Sequence, residues 1–415
     1  MSRAVAAGAL LMLAAGWAAT LWVAPFSDDR VNDLFVYREF AGPVLAGELP
    51  YRDVFFEYPP LAAPAIALPG VMGTEQEAFR VAFAGWTLLL AAVTVLLCGA
   101  LAARTGGSRA RALFAAAAMP LLLGALVRTH FDLAPVALLL AGLVLLLDGR
   151  PRSGMAMLGV AAMTKGFPIV AAPPALAWVA ARYGGRTVRQ AAAALLAALV
   201  VPALLALAIS PSGTLEAVEY QLERPVQLES APATGVLFLD ALGAGEAQSV
   251  QSHRSDGLQH PAAGALAAVG LLAMLAALAA VVARSRNGPR ALVLGALTAV
   301  LAFAVLGKVL SPQYLLWLVP LAAVAFAWRL HSLAAALAAA AVLTQLEFPV
   351  RYFDLVAREP LAVALVALRN IALLTALALA LRELVRGRQQ HLLDGERPSV
   401  GVAVDDDRVE PRVLI

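Results

Sequence analysis

Apolar runs long enough to cross a bilayer follow one another from Val5 to Arg382, and alternate breaks between them carry arginine. A spanning helix needs about 20 apolar residues, so such a chain folds as a set of membrane helices rather than around a water-surrounded core. Composition agrees: the 415 residues are 61% hydrophobic and 14% charged, which excludes an ordinary soluble domain. The net charge of +3 is small and its arginines lie between apolar runs. That pattern marks membrane sidedness and excludes a nucleic-acid partner. Cys98 is the single cysteine, so no intramolecular disulfide can form and the compartment has to be read from topology.

The arginine-bearing breaks are 104–111, 149–152, 181–189, 283–290, 329–332 and the region from Arg382. Placing all of them inside requires an outward and a return helix between each pair. The predicted spans are 5–25, 79–103, 112–127, 133–148, 153–164, 167–181, 191–209, 261–283, 291–306, 313–328, 333–346 and 361–382. The expected fold is an all-α polytopic membrane protein of about 12 helices, within a range of 10–13, with both termini cytoplasmic. Residues 1–382 form the membrane domain, and 383–415 a polar cytoplasmic tail expected to be disordered. The run after Arg3 reads as a signal anchor rather than a cleaved leader. The alanine- and arginine-rich, lysine-poor composition points to a bacterial plasma membrane.

Two external loops are long, 26–78 and 210–260. In the first, Leu34, Tyr37, Phe40, Ala41, Val44 and Leu45 recur at helical spacing until Gly47 and Pro50. The expectation is an amphipathic helix on the membrane surface, its apolar stripe among the headgroups. Leu61–Leu68 is too short to span and reads as re-entrant or interfacial.

The only two lysines, Lys165 and Lys308, interrupt apolar runs on this same predicted outer face. Beside them fall the acid-rich stretch 27–38, Glu57-Tyr58-Pro59-Pro60, the turn Arg128-Thr129-His130-Phe131-Asp132, and Glu223–Ser230. A carboxylate can serve as general base toward a hydroxyl, and neighbouring cations can hold a phosphate and stabilise its charge on departure. Carboxylates beside a phosphate clamp at the outer leaflet suggest a lipid-phosphate-linked substrate.

Five segments carry a more specific likeness: Asp33-Leu34-Phe35-Val36-Tyr37, Gly47–Tyr51, Glu57-Tyr58-Pro59-Pro60-Leu61, Lys165-Gly166-Phe167-Pro168, and the run from Lys308 through Ser311-Pro312-Gln313-Tyr314 to Trp317. In this order they resemble glycosyltransferase family 87, integral membrane enzymes of the GT-C type. The family includes polyprenol-phosphate-mannose-dependent α-mannosyltransferases and related arabinofuranosyltransferases. The resemblance implies a sugar donor carried on polyprenyl phosphate, inverting transfer to a lipid or glycan hydroxyl outside the cytoplasm, and a catalytic carboxylate at Asp33. Phe35 stands where a histidine is common in mannosyltransferase relatives, so mannose and arabinofuranose both remain open.

Asp33 is the candidate base, and its bland alternative is a helix N-cap. Candidate substrate contacts are Asp28, Asp29, Tyr37, Arg38, Glu57, Tyr58, Arg128, His130, Asp132, Lys165, Arg224, Glu229, Lys308, Gln313 and Tyr314. Asp28 or Asp29 is the alternative base. Glu57-Tyr58-Pro59-Pro60 could instead be a rigid turn, the lysines could snorkel to headgroups, and Arg224 could pair with Glu229. No metal or cofactor is expected, since two adjacent aspartates supply too few oxygen ligands for a hard cation. Arg369, deep in the last span, requires a partner, which the sequence leaves unnamed. A lipid-linked-sugar flippase and a polysaccharide polymerase or ligase are the competing functions; polar groups gathered on one face favour the transferase over a transporter with symmetric halves.

Overall fold

The computed structural model describes residues 3–393 and is 76% helical. Helix α1 (Arg3–Trp22) precedes the first loop region, which contains α2 (Leu34–Leu45), α3 (Ala62–Ala67) and a 3-10 turn at Leu68–Met72. Next come α4 (Gln76–Arg104) and a broken run of α5 (Arg109–Ala117), α6 (Met119–Leu123) and α7 (Leu126–Thr129). A hairpin of α8 (Leu133–Leu147) and α9 (Pro151–Thr164) leads through a 3-10 turn to α10 (Ala172–Arg182) and α11 (Gly185–Ile209). The second loop region holds α12 (Pro211–Glu223), β1 (Val226–Gln227), α13 (Ala231–Ala241), β2 (Gln248–Ser252) and β3 (Ser255–Gln259). The remaining helices are α14 (Ala263–Arg284), α15 (Gly288–Leu306), α16 (Leu315–Ala327), α17 (His331–Glu347), α18 (Tyr352–Val356) and α19 (Pro360–Leu393).

This is a helical membrane protein. Six helices, α1, α4, α11, α14, α15 and α19, are each long and apolar enough to cross a bilayer. Burial sorts them: 72% of the most apolar stretch of α15 is inside the protein, against 11% for α11 and α14. Thus α15 and the wholly apolar α16 form the core, while α11 and α14 turn side chains to lipid. The expected run 112–127 is broken because Gly124 adopts φ +54, with the Gln345 side chain against it. Of the expected tail, 383–393 continue α19, and the rest lies outside the described residues.

Two expectations need correcting. The apolar stripe of α2 does not lie among headgroups. Tyr37, Phe40 and Ala41 are buried against Phe56, Phe83 and Phe131, while Phe35 is the exposed residue at 57%. The second loop region is also more ordered than a loop, with an antiparallel sheet of order β1-β3-β2. Its two-residue hairpin turn, His253-Arg254, has φ of 52° and 50°, the left-handed pair a tight hairpin requires. Gly213 lets α12 approach the Tyr51 carbonyl closely, joining the two loop regions.

The α8–α9 hairpin is held by close contact along its length. A Cβ on Gly142 would lie 3.1 Å from the Gly154 carbonyl oxygen, and one on Gly154 2.9 Å from that of Gly142. Small residues here bring two membrane helices into backbone contact. Gly154→Val should therefore force α8 from α9, destabilising the protein by about 1–3 kcal/mol, visible as a lowered melting temperature of the detergent-solubilised protein; an unchanged melt would show the crossing to be tolerant.

Candidate active site

A pocket of about 380 Å³ opens where both loop regions meet the ends of the helices. Asp33, Glu57 and Tyr58 come from the first loop region, Arg224, Gln227, Glu229 and Arg254 from the second. His130, Lys165, Gln313 and Tyr314 come from breaks between helices, and Trp317 from the first turn of α16. Among the described residues no group of three or more His, Cys, Asp or Glu side chains is placed to hold a metal ion.

Asp33 precedes α2 but its carboxylate makes no cap. Asn32 Oδ1 instead accepts the Leu34 backbone N–H at 2.9 Å. The Asp33 carboxylate, freed from that task, accepts from the Tyr37 hydroxyl at 3.2 Å and lies 3.5 Å from His130 Nε2. The Thr129 hydroxyl donates to the Ala125 carbonyl at 2.9 Å, so its contact with His130 Nδ1, also 2.9 Å, is one in which the ring nitrogen donates. That assignment leaves Nε2 of a neutral ring bare toward Asp33.

Below the pocket, Lys165 Nζ donates to Asp132 Oδ1 at 2.7 Å, and Trp317 Nε1 donates to the same oxygen at 2.6 Å. Asp132 is fully buried and Lys165 14% exposed. The ammonium also sits over the Phe131 ring at 4.7 Å, and Trp317 is stacked between Phe167 and Tyr314. Lys165 thus reaches the pocket already neutralised.

Arg224 differs. It has no carboxylate within ion-pairing distance among the described residues; its only hydrogen bond is to Ser255 Oγ at 3.4 Å, and its Nε is buried without a partner. Nearby Lys308 donates to the Leu222 carbonyl at 2.7 Å. Burial, and then the positive charge of Arg224, hold the Lys308 ammonium below the usual lysine range. Arg254 bridges Glu39 and Glu57, each at 3.7 Å, from the hairpin tip. Burial pushes the Glu57 carboxyl above the usual range, with Arg254 opposing it.

Glu229 is paired from below. Arg369 Nη1 lies 3.4 Å from Glu229 Oε1, and Arg369 also donates to the Glu229 carbonyl oxygen. Asn370 Nδ2 reaches that carbonyl at 3.2 Å. Burial and the adjacent Glu347 carboxylate hold Glu229 well above the usual carboxylate range. The partner required by Arg369 is therefore Glu229, at a sequence separation of 140.

The structure brings Asp33, Glu57, Tyr58, His130, Lys165, Arg224, Glu229, Gln313 and Tyr314 to one pocket. Tyr37 and Asp132 lie beneath its surface, and Lys308 sits behind Arg224. The others go elsewhere. Asp28 pairs with Arg30 at 3.0 Å. Asp29 receives Arg128 at 2.7 Å, and Arg128, 4% exposed, also holds the carbonyls of Thr20 and Ser27. Arg38 faces the far side of α2. Sequence reasoning missed Arg254 and Gln227. Gln227 and Ser311 exchange hydrogen bonds of 2.8 and 3.1 Å, tying β1 to the turn after Lys308. No local motif marks either residue; both are positioned by the small sheet.

The model of the family described as glycosyltransferase family 87 matches residues 55–312, more than half of the chain, a stretch that excludes Asp33. No curated protein matches the sequence.

Lys165→Met strands a buried carboxylate and should cost about 3–5 kcal/mol. The double variant Lys165→Met/Asp132→Asn, with no charge left to strand, should melt above that single variant. Equal melting of Lys165→Met and wild type would show that the pair carries no stability.

Proposed function

The chain belongs to glycosyltransferase family 87, and on that premise we propose that it transfers a single sugar, mannose or arabinofuranose, from a polyprenyl-phosphate donor to a hydroxyl of a lipid or glycan acceptor on the extracytoplasmic face of a bacterial plasma membrane. Asp33 takes the proton of the acceptor hydroxyl as that oxygen forms a bond to the anomeric carbon. The bond from that carbon to the phosphate oxygen breaks on the opposite face, inverting the configuration, and polyprenyl phosphate leaves as an anion. Its charge needs electrostatic stabilisation rather than a strong acid. Arg224 and Lys308 supply it, with Lys165 below. Tyr37, whose hydroxyl donates to the Asp33 carboxylate at 3.2 Å, positions it. Neither a metal nor a cofactor enters the reaction.

The observation that carries this reading is the contrast between Asp33 and Arg224 in one pocket: a carboxylate released from capping and a guanidinium without a counter-ion among the described residues. A second feature supports a long apolar carrier. A groove of about 530 Å³ runs between α3, α4, α8 and α9, lined by Leu61, Trp86, Leu90, Ala137, Leu138 and Val160 among others. It reaches Leu61 and Thr164, next in sequence to the region of Pro59 and Lys165 that walls the polar pocket. A polyprenyl tail laid there brings its phosphate to the cations.

The purified full-length protein, given radiolabelled polyprenyl-phosphate mannose or arabinofuranose with membrane lipid acceptors, should transfer the label. Asp33→Asn should lower kcat by about 10²–10⁴-fold with its melting temperature unchanged. Arg224→Gln should lower kcat/KM by about 10–100-fold, the loss of one charge-assisted contact. Full activity in a folded Asp33→Asn overturns the assignment of the base, and movement of the lipid-linked sugar across liposomes without transfer overturns the transferase.

A further inference from the structure

A second cavity, about 350 Å³, lies on the other side of the start of α2, between that helix and the first turn of α4. Arg38, Arg80, Gln76, Asn32, Phe35 and Asp29 line it. Its one carboxylate is already engaged: Asp29 receives Arg128 at 2.7 Å and Arg80 at 3.6 Å. Arg38 makes no ion pair and no hydrogen bond among the described residues. Arg80 also pairs with Glu77 at 3.1 Å, and the Asn32 amide is engaged by the Asp29 carbonyl and the Leu34 N–H. The cavity therefore offers one unpaired guanidinium, Arg38, beside the partly neutralised Arg80 and the Gln76 amide, which suits an anion with several acceptor oxygens.

Its surroundings say where that anion comes from. Arg80 stands in the first turns of α4, at the edge of a membrane span. Exposed apolar side chains stand around this edge: Phe35 at 57%, Met72 at 80%, Val71 at 67% and Val81 at 63%. In a membrane protein, apolar groups exposed at a span's edge contact lipid, with arginines at the level of the headgroup phosphates. A cationic cavity with an apolar rim at that depth matches a phospholipid: phosphate inside, acyl chains beyond the rim.

Asn32 lines this cavity and the Asp33 pocket alike. Any headgroup seated by Arg38 and Arg80 is one side chain away from the carboxylate that faces the other way. We propose that this cavity binds the phosphate of an anionic membrane lipid, and that this lipid is the acceptor, its headgroup hydroxyl reaching over Asn32 to Asp33. The acceptor role rests on the transferase reading above; the lipid site does not. The two substrates then enter from opposite sides of α2, donor along the groove beside α8 and α9, acceptor beside α4, and meet only at the carboxylate.

The test reads lipid retention and needs no sugar transfer. Full-length protein stripped of lipid in detergent is loaded with dioleoyl phosphatidylglycerol or with dioleoyl phosphatidylcholine, and bound lipid is counted by native mass spectrometry. The wild type should retain phosphatidylglycerol at least about tenfold better than phosphatidylcholine. Arg38→Gln/Arg80→Gln should lose that preference, a tenfold change being the effect of one good charged contact. Should the double variant fail to melt cooperatively, Arg38→Gln alone decides, because its side chain holds nothing else in place. Equal retention of both lipids by the wild type, or undiminished phosphatidylglycerol in a folded variant, overturns the site. Millimolar inorganic phosphate displacing all the lipid also overturns it, as a small-anion site. Lipid bound with no transfer from any donor sinks the enzyme reading and leaves the site standing; transfer without lipid preference does the reverse.

Discussion

The contact between Lys165 and Asp132 holds together the end of the bundle where both loop regions meet. α8 begins immediately after Asp132, and α9 ends immediately before Lys165, so the 2.7 Å pair closes the open end of the hairpin whose turn end is closed by Gly142 and Gly154. Trp317, at the start of α16, donates to the same carboxylate and brings a third helix to the knot. Two charges withdrawn from water cost several kcal/mol each, and only close geometry with further hydrogen bonds offsets that. Here the indole N–H and the Phe131 ring face supply part of that environment, while Asp132 Oδ2 is buried without a hydrogen-bond partner among the described residues. One consequence is electrostatic: a cation spent on Asp132 contributes little net charge to the pocket, so the burden of attracting an anion shifts to Arg224 and Lys308.

A second buried pair does similar work for the other half of the site. Glu229 hangs from Arg369 and Asn370 on α19, while Gln227, two residues earlier, hydrogen-bonds Ser311. The segment that delivers Arg224 is thereby fixed to helices far away in sequence. Glu347, also buried, adds a second carboxylate to the one arginine, and neither of its oxygens has a hydrogen-bond partner among the described residues. Charge of one sign in excess at a buried site holds Glu229 toward its neutral form.

Much of this architecture is legible in the sequence, for a definite reason. The twelve apolar runs are predominantly helical, because in lipid a backbone must satisfy its own hydrogen bonds and a helix does so locally. The helical spacing of Leu34, Tyr37, Phe40 and Ala41 identifies α2 correctly but not its setting, since periodicity reports an apolar stripe and is silent on what covers it. The cover is a set of aromatic rings, Phe56, Phe83 and Phe131, from three separate elements. β2 reads Gln-Ser-Val-Gln-Ser, with no alternation to betray a strand, and its pairing is set by β3 and the left-handed turn. Likewise, Arg369 signals that it needs a partner, but only the fold could bring Glu229 across 140 residues. The family is legible from short ordered motifs because most of them sit in turns or at helix starts, where side-chain chemistry rather than helical burial dictates the residues.

The apolar groove beside α8 and α9 has one wall on the lipid side of α4, where Val93 is 37% exposed. An opening of that kind faces the bilayer sideways rather than the water above it. For a ligand confined to the membrane, encounter is then a two-dimensional search, and the quantity that governs occupancy is its mole fraction among the lipids. Diluting such an enzyme and its ligand together into buffer changes nothing the protein senses, whereas adding inert phospholipid thins the ligand around it. The groove makes the membrane, in effect, the solvent in which this protein measures concentration.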